Sequence, residues 1–194
     1  MHTSRRDAFQ AINQTPIARV SRNGTISFLC AHSPAHASTH SLTYKPYKEN
    51  LKIGIVTSHP NFMTAEQNTY KTFDGLILVG TGLGHFPVDT IDKETKEHTN
   101  VLKILTTLAK KMPIVMTSQC IYGRVNMNVY DSGYKIQQAG VLGNLDDIPP
   151  ETAYIKLAYL LSTQSKKNIM RFYKTNLRGE HHNRTPYQEI HTPS

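Results

Sequence analysis

Residues 73–85 read FDGLILVGTGLGH. Leu76, Ile77, Leu78 and Val79 form an unbroken apolar run with no polar alternation, the pattern of a strand buried on both faces. The run ends in glycines at alternate positions, Gly80, Gly82 and Gly84, where the backbone can turn sharply and approach another group closely. A strand running into such a loop is the mark of an open α/β sheet, and ligands of that architecture bind beyond the C-terminal strand ends.

Working outward, the neighbours fit the same plan. Upstream, LKIGIVTSHP at 51–60 is a short β-branched strand stopped by Pro60, and 63–73 is a short helix. Downstream, 92–112 reads as a helix with Val101, Leu105, Leu108, Ala109 and Met112 on one face. Pro113 stops it and opens the next strand, PIVMTSQ. A loop at 123–133 and a short helix follow, then a short strand at Val141 and Leu142. Pro149 and Pro150 introduce a strong helix, ETAYIKLAYLLS, with proline in its first turn. The expected fold class is therefore α/β: a small open parallel sheet of about four strands, flanked by helices on both faces.

The first 50 residues differ. IARVSRNGTISFL at 17–29 reads as a β-hairpin, with Asn23-Gly24 favouring a type I′ turn. Residues 30–50 mix Ser, Thr, His and two prolines without a period, as a linker does. His32, His36 and His40 recur every four residues, but Pro34 argues against the helix that would align them. No metal site or cofactor is expected.

The net charge of +8 raises nucleic-acid binding. Residues 51–164 nonetheless hold ten basic and ten acidic side chains, so the excess lies in the two ends, where it favours solubility over recognition. No apolar run reaches the roughly 18 residues of a membrane span, and Met1–Gln10 lacks the apolar core of a secretory signal. Only two cysteines, Cys30 and Cys120, with no ligand spacing, point to a reducing cytoplasm.

Chemistry has two places to sit. The loop Gly80-Thr81-Gly82-Leu83-Gly84-His85 is either an anion nest of backbone N–H groups or a packed tight turn. Thr117-Ser118-Gln119-Cys120 ends the next strand; Cys120 is either a nucleophile with His85 as its base, or a small apolar filler. Asp146 and Asp147, adjacent and so divergent on any regular element, are read as caps of the helix after Pro149. Tyr122, Tyr130 and Tyr134 are rim or core aromatics.

A set of ordered motifs together resembles one family. They are Phe73–Leu78 running into Gly80–His85, Ser118–Met127, Ala139–Leu142, and Pro150–Ala153 with Lys156-Leu157. The opening, His2 to Phe9, and Thr175-Asn176 with Gly179-Glu180, resemble one branch in particular. The family is the asparaginase-type amidohydrolases, and the branch is the D subunit of archaeal glutamyl-tRNA(Gln) amidotransferases. The resemblance implies an asparaginase C-terminal domain at 51–194, a linker at 30–50, and the tail of an N-terminal domain at 1–29. It also implies that the amide-cleaving threonines, aspartate and lysine belong to an N-terminal half that these motifs do not include. The chain would then be inactive alone, with no catalytic residue of its own. Gly80, Thr81, Gly82, Gly84, His85, Ser118, Gln119 and Cys120 would form a substrate-site wall or dimer contact. Implied partners are a second copy, a companion E subunit that amidates Glu-tRNA(Gln), tRNA and the catalytic half. A type I asparaginase fragment and a non-enzymatic dimerisation or small-molecule-binding module are the alternatives.

Overall fold

A computed structural model describes residues 3–30 and 44–185. Its centre is a parallel sheet of three strands in the order β3 (Ile53–Thr57), β4 (Gly75–Gly80), β5 (Ile114–Ser118). Ile77 sits opposite Ile55 on one side and Val115 on the other. The expected fourth strand contracts to a single bridge, Val115 to Leu142. The reason is Gly143, whose φ of +96° breaks the extended backbone; without a Cβ it lies against β5, where a Cβ would meet the Met116 carbonyl oxygen at 2.2 Å. The chain therefore turns away one residue after the bridge.

Alternation along β4 divides the interior in two. Leu76 and Leu78 face one core with Val101, Leu105, Leu108 and Ile136, from helices α2 (His98–Lys111) and α3 (Asp131–Gln138). Ile77 and Val79 face the other, with Leu157, Leu160, Ile169 and Tyr173, from α4 (Pro150–Thr163) and α5 (Lys166–Tyr173). Both faces are covered, as the unbroken apolar run required. Helix α1 (Thr64–Asn68) continues into a 3-10 turn, Thr69–Thr72.

Two local expectations are corrected, and one helix is new. Helix α2 begins at His98 and not at 92, because Asp92 and Thr95 close a side-chain turn: Asp92 Oδ1 accepts the Thr95 N–H at 2.9 Å, and Thr95 Oγ1 accepts the Ile91 and Asp92 N–H groups. Side-chain bonds of this kind compete with helix formation. Helix α5 was not anticipated; its apolar stripe, Ile169 and Tyr173, lies in a short and strongly basic stretch. The hairpin pairs β1 (Ala18–Val20) with β2 (Ile26–Phe28) as expected, but its turn is not type I′. Only Gly24 has positive φ; the Gly24 N–H donates to the Ser21 carbonyl, and the Ser21 N–H donates to the Thr25 carbonyl. That is a three-residue loop ending in a left-handed glycine.

Residues 44–50 form neither helix nor strand and run beside α4, where the Lys48 N–H donates to Ser162 Oγ at 2.9 Å. The histidines at 32, 36 and 40 lie outside the described residues. Before the hairpin, the chain is seated on the α/β body: Ala8 and Asn13 are buried there.

Candidate functional site

The ends of β3, β4 and β5 meet at Gln119. Its Nε2 donates to the Ser58 carbonyl at 2.7 Å and more weakly to Val79 at 3.3 Å, while its backbone N–H donates to Gly80 at 2.8 Å. One amide side chain thus ties all three strand ends. Thr117 Oγ1 donates to the Leu78 carbonyl. Ser118 Oγ donates to the Gly82 carbonyl at 2.5 Å and accepts the Cys120 N–H at 3.0 Å.

The glycine loop is a packed turn and not an anion nest. The Thr81 N–H donates to the His85 carbonyl, and the Gly84 and His85 N–H groups both donate to Thr81, so three donors of the loop point inward. Gly84, at φ +97°, is pressed against Val125, where a Cβ would come within 2.7 Å of a methyl. His85 Nδ1 lies 3.3 Å from the Thr81 carbonyl, and its ring meets Tyr130 edge-on at 4.9 Å. Cys120 is exposed, which excludes the buried-filler reading. Among the described residues no hydrogen bond joins its thiol to His85. Gly80, Thr81, Gly82, Gly84, His85, Ser118, Gln119 and Cys120 therefore form one continuous rim, tied together by amide, hydroxyl and backbone groups. Tyr122, Tyr130 and Tyr134 stand half exposed.

A second cluster escaped the sequence reading. Lys156 is buried on the core face of α4, where its Nζ lies 2.7 Å from Glu180 Oε1, donates to the Thr175 carbonyl at 2.9 Å, and stands 5.0 Å from the centre of the Tyr173 ring. Burial alone would raise the Glu180 pKa, but the Lys156 ammonium and the Leu177 and Arg178 N–H groups outweigh it and hold that carboxyl down to about 2. Asp146 and Asp147 do not cap α4, whose N-terminus has no side-chain cap. Leu145 takes a left-handed conformation, φ +69°, which turns the pair inward. The Asp147 carboxylate accepts the His182 N–H at 3.1 Å, with Arg124 at 3.8 Å. Burial pushes the Asp146 carboxyl up, against the opposing pull of His181 and Lys156, and burial likewise pushes the Tyr173 hydroxyl up. A cleft of about 460 Å³ opens beside Asp146, His181 and Tyr173. One signal was present in the sequence: Lys156 falls on the same helical face as Ala153, Leu157 and Leu160, and a lysine there requires a buried acceptor.

The family model described as Glutaminase/Asparaginase C-terminal domain matches residues 52–173, more than half of the chain. The chain belongs to the glutaminase/asparaginase family. The D subunit of glutamyl-tRNA(Gln) amidotransferase from Pyrococcus horikoshii is 38% identical over 195 residues, covering 99% of this chain and 41% of that protein. The D subunit from Methanobrevibacter smithii is 37% identical over 183 residues, covering 93% and 39%. Among solved structures, L-asparaginase I from Vibrio cholerae superposes with a TM-score of 0.71 at 26% identity, covering 89% of this chain and 49% of that one. The thermostable L-asparaginase from Thermococcus kodakarensis gives 0.71 at 24% identity, covering 88% and 48%, a likeness of fold. The chain thus spans about two-fifths of the length of these curated relatives and about half of these structures. Its matched region carries both the rim and Lys156; Glu180 lies just beyond it.

Among the described residues no cluster of three or more His, Cys, Asp or Glu side chains is placed to hold a metal ion. No described helix is long and apolar enough to cross a membrane.

Proposed function

We propose that this chain is the C-terminal portion of the D subunit of a glutamyl-tRNA(Gln) amidotransferase, an asparaginase-like protein that releases ammonia from glutamine or asparagine so that Glu-tRNA(Gln) can be amidated in the cytoplasm. On this reading, bond cleavage is carried by an N-terminal half and the chain alone is inactive. The observation that carries it is the 38% identity along almost the whole chain to two-fifths of such a protein.

Two features of the molecule support it. The rim at the strand ends has the character of a wall. Its one serine hydroxyl donates to a backbone carbonyl, and its cysteine and histidine have no hydrogen bond between them, so no activated nucleophile is assembled. The hairpin leaves Ile17, Val20 and Ile26 more than half exposed, as expected of two strands that belong to a larger sheet. Residues 17–29 would then belong to the catalytic lobe, 51–194 to the supporting lobe, and 30–50 to the connection. The rim would face the catalytic centre or a second copy, with a companion E subunit and tRNA as further partners.

The test is ammonia release. Purified chain with glutamine or asparagine should release none. Addition of the separately purified N-terminal half of an archaeal relative should restore turnover. Release by the chain alone would overturn the proposal, and a silent mixture of two well-folded halves would favour a non-enzymatic binding module.

A further inference from the structure

Asn13 is buried, at 6% exposure, in a left-handed backbone conformation with φ +56°. All three of its side-chain hydrogen bonds reach across the molecule. The Gly123 N–H donates to Asn13 Oδ1 at 2.8 Å; Asn13 Nδ2 donates to the Gly123 carbonyl at 2.9 Å and to the Asp147 carbonyl at 2.5 Å. Nearby, Tyr122 donates its hydroxyl to Gln10 at 3.1 Å.

The segment after α5 holds Asp147 of this seat directly, and holds Gly123 through its neighbour Arg124. The Asp147 carboxylate accepts the His182 N–H at 3.1 Å and lies 3.2 Å from His182 Nδ1. Arg124, the neighbour of Gly123, donates to the His182 and Asn183 carbonyls and to Thr185 Oγ1, as well as to Leu145. That segment is anchored in turn by Glu180 on Lys156, and by Asn176, whose side chain bonds Gly179, Glu180 and His181. The two segments also line a common cavity of about 270 Å³, with Ile12, Asn13 and Gln14 on one side and Gly179, Glu180 and His182 on the other.

We propose that residues 176–185 are a positioning strap: by holding Arg124 and Asp147 they shape the seat of Asn13, and so fix residues 8–14 against the loop at 118–124. Residues 8–14 form no helix or strand, so their order depends on tertiary bonds, and Asn13 supplies the buried ones. Coupling between two segments through a shared seat is reciprocal: loosening either one loosens the other. The inference concerns order within the chain and stands apart from the amidase reading. Under that reading, the same strap would set the angle at which the catalytic half meets the rim.

Limited proteolysis of 8–14 and hydrogen exchange of the rest of the full chain test it. His182→Ala removes the ring contact to Asp147 while leaving the backbone bond, and the ring is partly exposed, so folding is retained. Native-state cleavage within 8–14 by a non-specific protease, read alongside exchange, should speed up about tenfold or more. Asn13→Ala should raise exchange across 176–185 in return. Peptides of β4 and β5 should keep wild-type rates. His182→Asn, which restores an N–H donor near the place of Nδ1, should recover much of the protection. Loosening of 176–185 with 8–14 unchanged would overturn the strap, as would failure of Asn13→Ala to reach 176–185. A uniform rise that includes β4 in both single variants would also overturn it, since the effect would then be global.

Discussion

The rim at the strand ends and the cluster around Lys156 perform the same mechanical task with opposite chemistry. At the rim, Gln119 joins three strands through uncharged groups. In the cluster, Lys156 joins α4 to the chain after α5 through a buried ion pair. The amide and backbone groups of the Gln119 junction lose a modest amount when one bond is cut, and they have no proton to lose. A buried ion pair is costly to break from one side, because the surviving charge is left unpaired away from water. The Gln119 junction should therefore be tolerant and pH-insensitive, and the cluster brittle and acid-sensitive.

The largest effect should follow removal of one charge from the cluster. Glu180→Ala leaves the Lys156 ammonium, only 4% exposed, without its partner. Urea unfolding should show a loss of about 3–5 kcal/mol, the range for breaking a buried pair. The double variant Lys156→Met/Glu180→Leu should recover most of that loss, since an apolar pair has no charge to strand. If the double variant is as unstable as the single one, the ion pair is not what holds this junction.

Acid should act next. The Glu180 pKa is about 2 in the folded protein against an ordinary 4.5, so folding holds its proton off. The stabilisation is complete above the ordinary value and is lost as pH falls from roughly 5 to 2. Asp146 works in the opposite sense: burial has raised its pKa, so protonation relieves its desolvation and offsets part of the loss. Urea midpoints between pH 7 and 3 should fall in the wild type, and should fall less in the Lys156→Met/Glu180→Leu variant. Parallel curves would remove Glu180 as the acid-sensitive group.

Gln119→Ala should come third. It leaves the Ser58 and Val79 carbonyls without the amide donor, a cost of about 1–3 kcal/mol. The loss should be the same at pH 7 and pH 5, which is the point of contrast with Glu180. A pH-dependent loss would mean that the rim is coupled to the charged cluster.

The difference between the two regions also explains what the sequence made legible. Strands β3, β4 and β5 were readable because residues such as Leu76–Val79 state their burial locally, through an unbroken apolar run. The rim loops were singled out because ligands of an open α/β sheet bind beyond the C-terminal ends of its strands. The cluster was opaque because its partners are distant in sequence: Asn13 with Asp147, Arg124 with His182, Lys156 with Glu180. Asp146-Asp147 was misread for the same reason. Adjacent carboxylates beside a helix start look like caps, and the left-handed Leu145 that turns them inward leaves no mark on composition. The hairpin was legible in its pairing but not in its turn, since Asn23-Gly24 fits more than one loop type and the loop length decides.

The smallest effect should be at Cys120, where a small effect is the informative outcome. The side chain is exposed, and the one bond of the residue at this place is made by its backbone N–H to Ser118. Cys120→Ala should therefore change stability by less than about 0.5 kcal/mol, as surface substitutions away from special features do. In a reconstituted mixture with an N-terminal half, kcat for ammonia release should stay within about twofold of wild type, because the thiol has no base bonded to it to make it a nucleophile. Loss of turnover with unchanged urea midpoint would return Cys120 to the chemistry and turn the rim from a wall into part of the reacting centre.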